Sequence, residues 1–170
     1  IDEAYSNFSP DKSFFSFLDT YNNLIVLQTF SKAWGLAGLR LGVAYGDSNI
    51  ISFLDKIKLP YNVNYYTLAV ATEAILQSQI VHDNISKILD EREKLSLALS
   101  NFEFVEKVYH SDANFVLFKT HLADELYQYL IKQNIIIRNF SQKPYCEHCL
   151  RVSVGKPEEN DAFVQALKGF

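Results

Sequence analysis

Residues 23–46 read NLIVLQTFSKAWGLAGLRLGVAYG, two aliphatic runs on either side of a segment of small residues. The first run, NLIVLQTF, has the length and composition of a strand buried on both faces, and LRLGVAYG reads as a second strand. Gly42 and Gly46 weaken that second strand and point to a turn or a close backbone approach. Between the runs stand Lys32 and Arg40 among Ala33, Gly35, Ala37 and Gly38, small residues that let backbone come close to a ligand while an amine is presented. Thr29 and Ser31 alternate along the strand end, so their hydroxyls can face one side, and Arg40 offers the planar fork that suits phosphate. A phosphate fits such a loop. From composition alone, a solvated lysine and arginine at strand ends remain the favoured alternative.

A chain of 170 residues, 48% of them hydrophobic, can bury a core as one domain or two small ones. The formal net charge of -4 leaves no broad basic field, which disfavours a general binder of nucleic acid or anionic membranes. The apolar runs LIVL and FVLF are far shorter than the ~20 residues needed to cross a bilayer, and no charged leader precedes an apolar stretch. A soluble, cytoplasmic protein is expected. Cys146 and Cys149 form a lone C-x-x-C around His148, without a second ligand pair or a strand-to-helix context, so two thiols in an ordinary loop are expected. His82, His110 and His121 are scattered, and no metal site is expected. The chain opens on IDEAYSNF without an initiator methionine, an apolar residue running directly into an acidic pair, and this predicts a fragment.

Along the chain, a short helix is expected around Phe14 to Tyr21. Ser48 is the expected N-cap of the helix NIISFLDKI, and Pro60 opens the loop LPYNVN. From Tyr65 to about Ser100 the pattern is helical, with Leu68, Ala71, Ile75, Ile85, Ile88, Leu89, Leu95 and Leu99 lining buried faces. SQIVHDN is expected to break this stretch into at least two helices. FVEKVY and NFVLFK follow as strands, LADELYQYLIKQ as an amphipathic helix, IIIRNF and LRVSV as strands, and a final helix starts at Pro157 with Glu158 and Glu159 in its first turn. In LRVSV, Leu150, Val152 and Val154 alternate inward and leave Arg151 on the other face. The order gives a strand-rich first part and then a compact α+β unit. The expected division is residues 1–83 and 84–170.

DEAY at Asp2 to Tyr5, followed by TFSKAWGLAGLRLG with its S-K-x-x-x-x-x-G-x-R core, resembles the C-terminal half of fold-type I pyridoxal-phosphate aminotransferases, and within them the histidinol-phosphate aminotransferase family. KLPYNVN, NFVLFK, IIIRNF and LRVSVGKPEEND fall in the same order, so the resemblance covers the whole chain. It implies an α/β fold-type I fragment: the C-terminal part of the large-domain sheet, which binds the cofactor, plus a small α+β domain. Lys32 would hold pyridoxal 5'-phosphate covalently and act as the proton shuttle. Asp2 would pair with the pyridine nitrogen. Tyr5 would hydrogen-bond the 3'-oxygen, with core packing as its alternative among 10 tyrosines, and Thr29, Ser31 and Arg40 would bind the phosphate. Arg151 would hold the anionic end of the substrate. Arg138 would hold the phosphate of histidinol phosphate, with a solvated arginine as its equal alternative.

The reaction so implied belongs to histidine biosynthesis: histidinol phosphate and 2-oxoglutarate give imidazole acetol phosphate and glutamate in a homodimeric parent. An aromatic aminotransferase, a threonine-phosphate decarboxylase and the effector domain of an aminotransferase-like regulator are the alternatives. The family's N-terminal half carries a Gly-rich phosphate loop, a ring-stacking aromatic, an asparagine and a tyrosine reaching the partner's cofactor, none of which can be located in these residues. The 170-residue chain by itself is therefore expected to be inactive.

Overall fold

The structure, a computed structural model, describes residues 1–9, 11 and 13–170. The chain divides into two compact units, Ile1–Ile85 and Ser86–Phe170.

In the first unit, β1 (Ile25–Thr29) pairs antiparallel with β2 (Gly42–Gly46), Thr29 lying opposite Gly42 and Ile25 opposite Gly46. The glycines sit where the backbones crowd. A Cβ on Gly42 would lie 3.2 Å from the Gln28 carbonyl oxygen, and one on Gly46 the same distance from that of Leu24. On its other edge β1 accepts the N-terminal segment through a parallel bridge from Asp2 to Leu27, with the Glu3 N–H donating to the Leu27 carbonyl at 2.8 Å. Val26 is fully buried, but Leu27 is 45% exposed, so β1 is covered on one face and not on both as its composition suggests. Strand composition records burial potential, and only neighbouring elements realise it.

Local chemistry sets the helices. The expected helix at 14–21 is a 3-10 turn, Phe14–Phe17, capped by the Ser13 hydroxyl, which accepts the Phe15 N–H at 3.0 Å. α1 (Ser48–Ile57) is capped by Asp47 rather than Ser48: the Asp47 carboxylate accepts the Asn49 N–H at 2.8 Å, placing Ser48 inside the helix. Asn64 caps α2 (Tyr65–Leu76) in the same way through the Thr67 N–H at 2.9 Å. The helical stretch breaks at Gln77, and SQIVHDN lies within α3 (Ser78–Ser100). That heptapeptide contains no glycine or proline, and its weaker helix formers cost only tenths of a kcal/mol each. Leu68 and Ile75 are exposed, while Thr67 and Ala71 face inward. α2 is apolar nearly all round, so its periodicity does not single out a face.

The second unit is a four-stranded antiparallel sheet in the order β3-β4-β6-β5, from β3 (Lys107–Val108), β4 (Phe115–Lys119), β5 (Arg138–Asn139) and β6 (Cys149–Ser153). α4 (Ala123–Lys132) and α5 (Pro157–Lys168) complete it, with Pro157 in the first turn as expected. Val116 and Phe118 of β4, with Leu150 and Val152 of β6, bury one face against Leu95 and Leu99 of α3, Leu126 and Leu130 of α4, and Phe163 and Leu167 of α5. Two strands are shorter than expected. In IIIRNF, Asn134 adopts a left-handed conformation (φ 60°) and the Ile135 N–H donates back to the Leu130 carbonyl at 2.9 Å. The helix end thus consumes residues the pattern assigned to a strand. Cys149 is buried as the first residue of β6, not in a loop, and Cys146 is half-buried. Burial pushes the Cys149 thiol above its ordinary pKa.

Candidate active site

The first unit builds its site on the connection from β1 to β2. The Phe30 N–H donates to the Leu41 carbonyl at 3.1 Å and the Leu36 N–H to the Phe30 carbonyl at 2.9 Å, closing a compact loop. The Gly35 N–H donates to the Lys32 carbonyl at 2.9 Å, with Gly35 at φ 67°, where a side chain would be strained. Phe30 and Ala33 are buried beneath the loop, and the Trp34 ring lies 5.1 Å from that of Phe30. With its neighbours turned inward, Lys32 stays half-exposed and its Nζ lies 5.1 Å from the centroid of the Tyr5 ring.

Thr29 Oγ1 donates to the Leu41 carbonyl at 3.3 Å and accepts the Ser31 N–H at 3.1 Å, so both residues stand at the mouth of the loop. Arg40 is exposed in a left-handed conformation (φ 53°) and its Nη1 donates to the Ala37 carbonyl at 2.9 Å. Asp2 is exposed beside β1 and accepts the Ala4 N–H at 2.9 Å. The loop thus brings Lys32 close to Tyr5 and Thr29 close to Ser31, whereas the Arg40 guanidinium is folded onto its own turn.

Sequence reasoning passed over Glu3, which is 7% exposed. Its carboxylate accepts the Ser13 hydroxyl at 2.6 Å, the Phe14 N–H at 2.6 Å and the Gln28 amide at 3.1 Å, tying the segment that carries Asp2 and Tyr5 to β1. Burial pushes its pKa up, but the hydrogen bonds from Ser13, Gln28 and Phe14 outweigh it and hold the group below the ordinary carboxylate range. A depressed pKa makes this contribution full above the unfolded value of about 4.3 and lost as pH falls below it. Glu3→Ala should remove three hydrogen bonds whose donors are only partly buried and cost about 1–2 kcal/mol at neutral pH. Unfolding of the full-length protein would show it, with the gap from wild type shrinking in acid. A neutral-pH midpoint equal to wild type would contradict the assignment.

In the second unit, Arg151 lies on β6 facing away from the core, opposite Arg138 of β5 in the strand register. Its guanidinium carbon sits 4.6 Å from the Phe115 ring centroid and 5.2 Å from that of Phe140, and its buried Nε has no hydrogen-bond partner. Arg138 is exposed. Two cations directly opposite each other on one sheet repel, and an anion between them relieves the repulsion. Among the described residues, no group of three His, Cys, Asp or Glu side chains could hold a metal ion, and no helix is long and apolar enough to cross a membrane.

An amine over a phenol ring, with two hydroxyl residues at the mouth of the same loop, is compatible with a phosphorylated pyridine aldehyde, and the chain belongs to the aminotransferase class I and II family, whose model matches residues 1–167. It is similar to the histidinol-phosphate aminotransferase of Flavobacterium psychrophilum, 44% identical over 99% of this chain and 48% of the relative. Among solved structures it resembles the histidinol-phosphate aminotransferase from Clostridium acetobutylicum, with a TM-score of 0.91 at 25% identity, over 99% of this chain and 52% of that one. It also resembles the enzyme of that name from Sinorhizobium meliloti in complex with pyridoxal-5'-phosphate, with a TM-score of 0.85 at 25% identity, over 99% of this chain and 47% of that one. The chain thus spans about half the length of the relatives it matches.

Proposed function

We propose that this chain is the C-terminal half of a pyridoxal-phosphate aminotransferase whose intact, cytoplasmic, homodimeric form converts histidinol phosphate and 2-oxoglutarate to imidazole acetol phosphate and glutamate. In this reading residues 1–83 belong to the large domain and residues 84–170 form the small one. The observation that carries it is the β1–β2 loop, where the Lys32 amine stands 5.1 Å from the Tyr5 ring beside the Thr29 and Ser31 pair.

When bound, the cofactor supplies an electron sink for the pair of electrons left at the substrate Cα. The protein's own groups do the rest. Lys32 anchors the cofactor and moves the proton at Cα. Asp2 keeps a proton on the pyridine nitrogen and Tyr5 donates to the 3'-oxygen; the Ser31 hydroxyl and the Arg40 N–H groups not used on the Ala37 carbonyl hold the phosphate, joined by the Thr29 hydroxyl once it turns from the Leu41 carbonyl. The Arg151 guanidinium takes the substrate carboxylate, its plane set by the Phe115 and Phe140 rings it stacks on. Arg138 takes the phosphate of histidinol phosphate.

Substrate profiling of the full-length protein tests this reading. Histidinol phosphate should exceed aromatic amino acids in kcat/KM, and phosphothreonine should not be decarboxylated; the reverse order would overturn the assignment. Arg151→Ala should raise KM for both histidinol phosphate and glutamate by about 10-fold or more, the loss of a charge-assisted hydrogen bond. Arg138→Ala should raise it for histidinol phosphate and leave glutamate nearly unchanged. Unchanged constants in both variants would remove both arginines from the substrate site.

A further inference from the structure

We propose that Glu91, Arg92 and Asn160 are positioning residues that hold Arg151 and its stacking partner Phe115 in register for carboxylate binding, an inference that rests on the reading of Arg151 given above. The two strands that carry this pair are pinned from one short stretch of α3. Asn160 is buried near the start of α5, and its side-chain amide grips both polar groups of one residue: Oδ1 accepts the Gly155 N–H at 2.9 Å and Nδ2 donates to the Gly155 carbonyl at 3.1 Å. Since the peptide N–H can only donate, it fixes which way the amide points. The second Nδ2 hydrogen is then free to reach Glu91 Oε2, at 2.8 Å. Gly155 directly follows the Arg151–Val154 stretch, so this grip sets the exit of β6.

The next residue on α3 holds the neighbouring strand. Arg92 Nη1 donates to the Ala113 carbonyl at 2.9 Å, two residues before Phe115. Between the two anchors the Val154 N–H donates to the Asn114 carbonyl at 2.9 Å, and Ser153 lies opposite Phe115. A Cβ at Gly155 would lie 2.7 Å from Glu159 Oε2, so a side chain there would displace the oxygen that accepts the Lys156 N–H at 2.8 Å. Glu91 is kept anionic at neutral pH by its hydrogen bond from Lys94 and then by that from Asn160, which hold its pKa below the ordinary carboxylate range. A charged acceptor strengthens the Asn160 contact. A buried network of this kind is costly to break singly, and a shift of the strand end translates directly into the aim of Arg151.

The test uses the full-length protein, with KM for glutamate and the calorimetric Kd for maleate, a dicarboxylate that cannot be transaminated. Asn160→Leu should raise both by roughly 10-fold while kcat changes much less, as expected for a misplaced binding group. N160D alone should do the same, because it sets a second carboxylate against Glu91. The double variant E91Q/N160D should recover part of the lost affinity, since the glutamine amide then donates to the new carboxylate while the bond to the Gly155 carbonyl stays lost. E91Q, which keeps the shape of the site, should shift both constants in the same direction by less, and it serves if Asn160→Leu fails to fold. Arg151→Ala is the reference. If it raises KM and Kd while the Asn160 and Glu91 variants lower only the melting temperature, the network is merely structural and the proposal is wrong. If Arg151→Ala itself leaves both constants unchanged, the carboxylate reading of Arg151 falls and this inference falls with it.

Discussion

Replacing Lys32 by alanine in the full-length protein is expected to remove the absorbance of lysine-bound cofactor and lower transamination by about 10²–10⁴-fold or more, because on the proposed reading one change deletes both the anchoring nucleophile and the base that moves the Cα proton. The loop explains why no neighbour can substitute. Phe30 and Ala33 point into the interior, Gly35 holds a left-handed turn, and Arg40 is committed to the Ala37 carbonyl. Lys32 is the only amine between β1 and β2, and it stands over the Tyr5 ring. Thermal unfolding should change little, since a half-exposed lysine at 5.1 Å from a ring contributes on the order of 0.5–1 kcal/mol at most. Turnover near wild type in the Lys32→Ala protein would remove Lys32 from the site.

The 170-residue chain expressed alone is expected to show no turnover and to self-associate. In its first unit, Ile57, Tyr66 and Leu76 are 79%, 80% and 76% exposed, and Phe53, Leu59, Tyr65 and Ile80 are exposed with them. Apolar surface of this kind is covered in stable proteins or drives association. Transfer of apolar area out of water is worth roughly 25 cal/mol per Å², so covering many of these side chains together can offset the cost of bringing two copies together, about 4–15 kcal/mol. The donor set is also partial. On the proposed reading Lys32, Asp2, Tyr5, Thr29 and Ser31 supply only part of the cofactor's contacts, because the chain spans about half the length of the relatives it matches. Sedimentation should show species larger than a monomer, and assay with histidinol phosphate should show no product. A monodisperse monomer with stoichiometric cofactor and turnover would mean that the other half of the relatives' length is dispensable.

The parts of this chain that were legible in its sequence are those decided by local chemistry. The paired aliphatic runs gave β1 and β2, the proline and two glutamates gave the start of α5, and the alternation of Leu150, Val152 and Val154 placed Arg151 on the face away from the core. Where two local signals compete, the geometry chose by a margin too small to read. Asp47 and Ser48 are both good caps, and the backbone turned helical one residue earlier than expected. Burial depends on partners distant in sequence, so Leu27, Leu68 and Ile75 were misplaced. The site shows the same division. Lys32 and its small neighbours announce themselves within ten residues, but Phe115 lies 36 positions before Arg151 and Gln28 lies 25 after Glu3. No spacing rule connects such pairs. Asn160 and Glu91 meet across 69 positions, through a contact only the folded second unit creates.

Borohydride reduction of the full-length protein, followed by proteolysis and mass spectrometry, addresses the central assignment most directly, because it fixes the cofactor to whichever amine holds it. A phosphopyridoxyl group is expected on the peptide containing Ser31, Lys32 and Ala33, at stoichiometric yield, and none in the Lys32→Ala protein. Label on another lysine, or no label in a protein that turns over histidinol phosphate, would contradict the assignment.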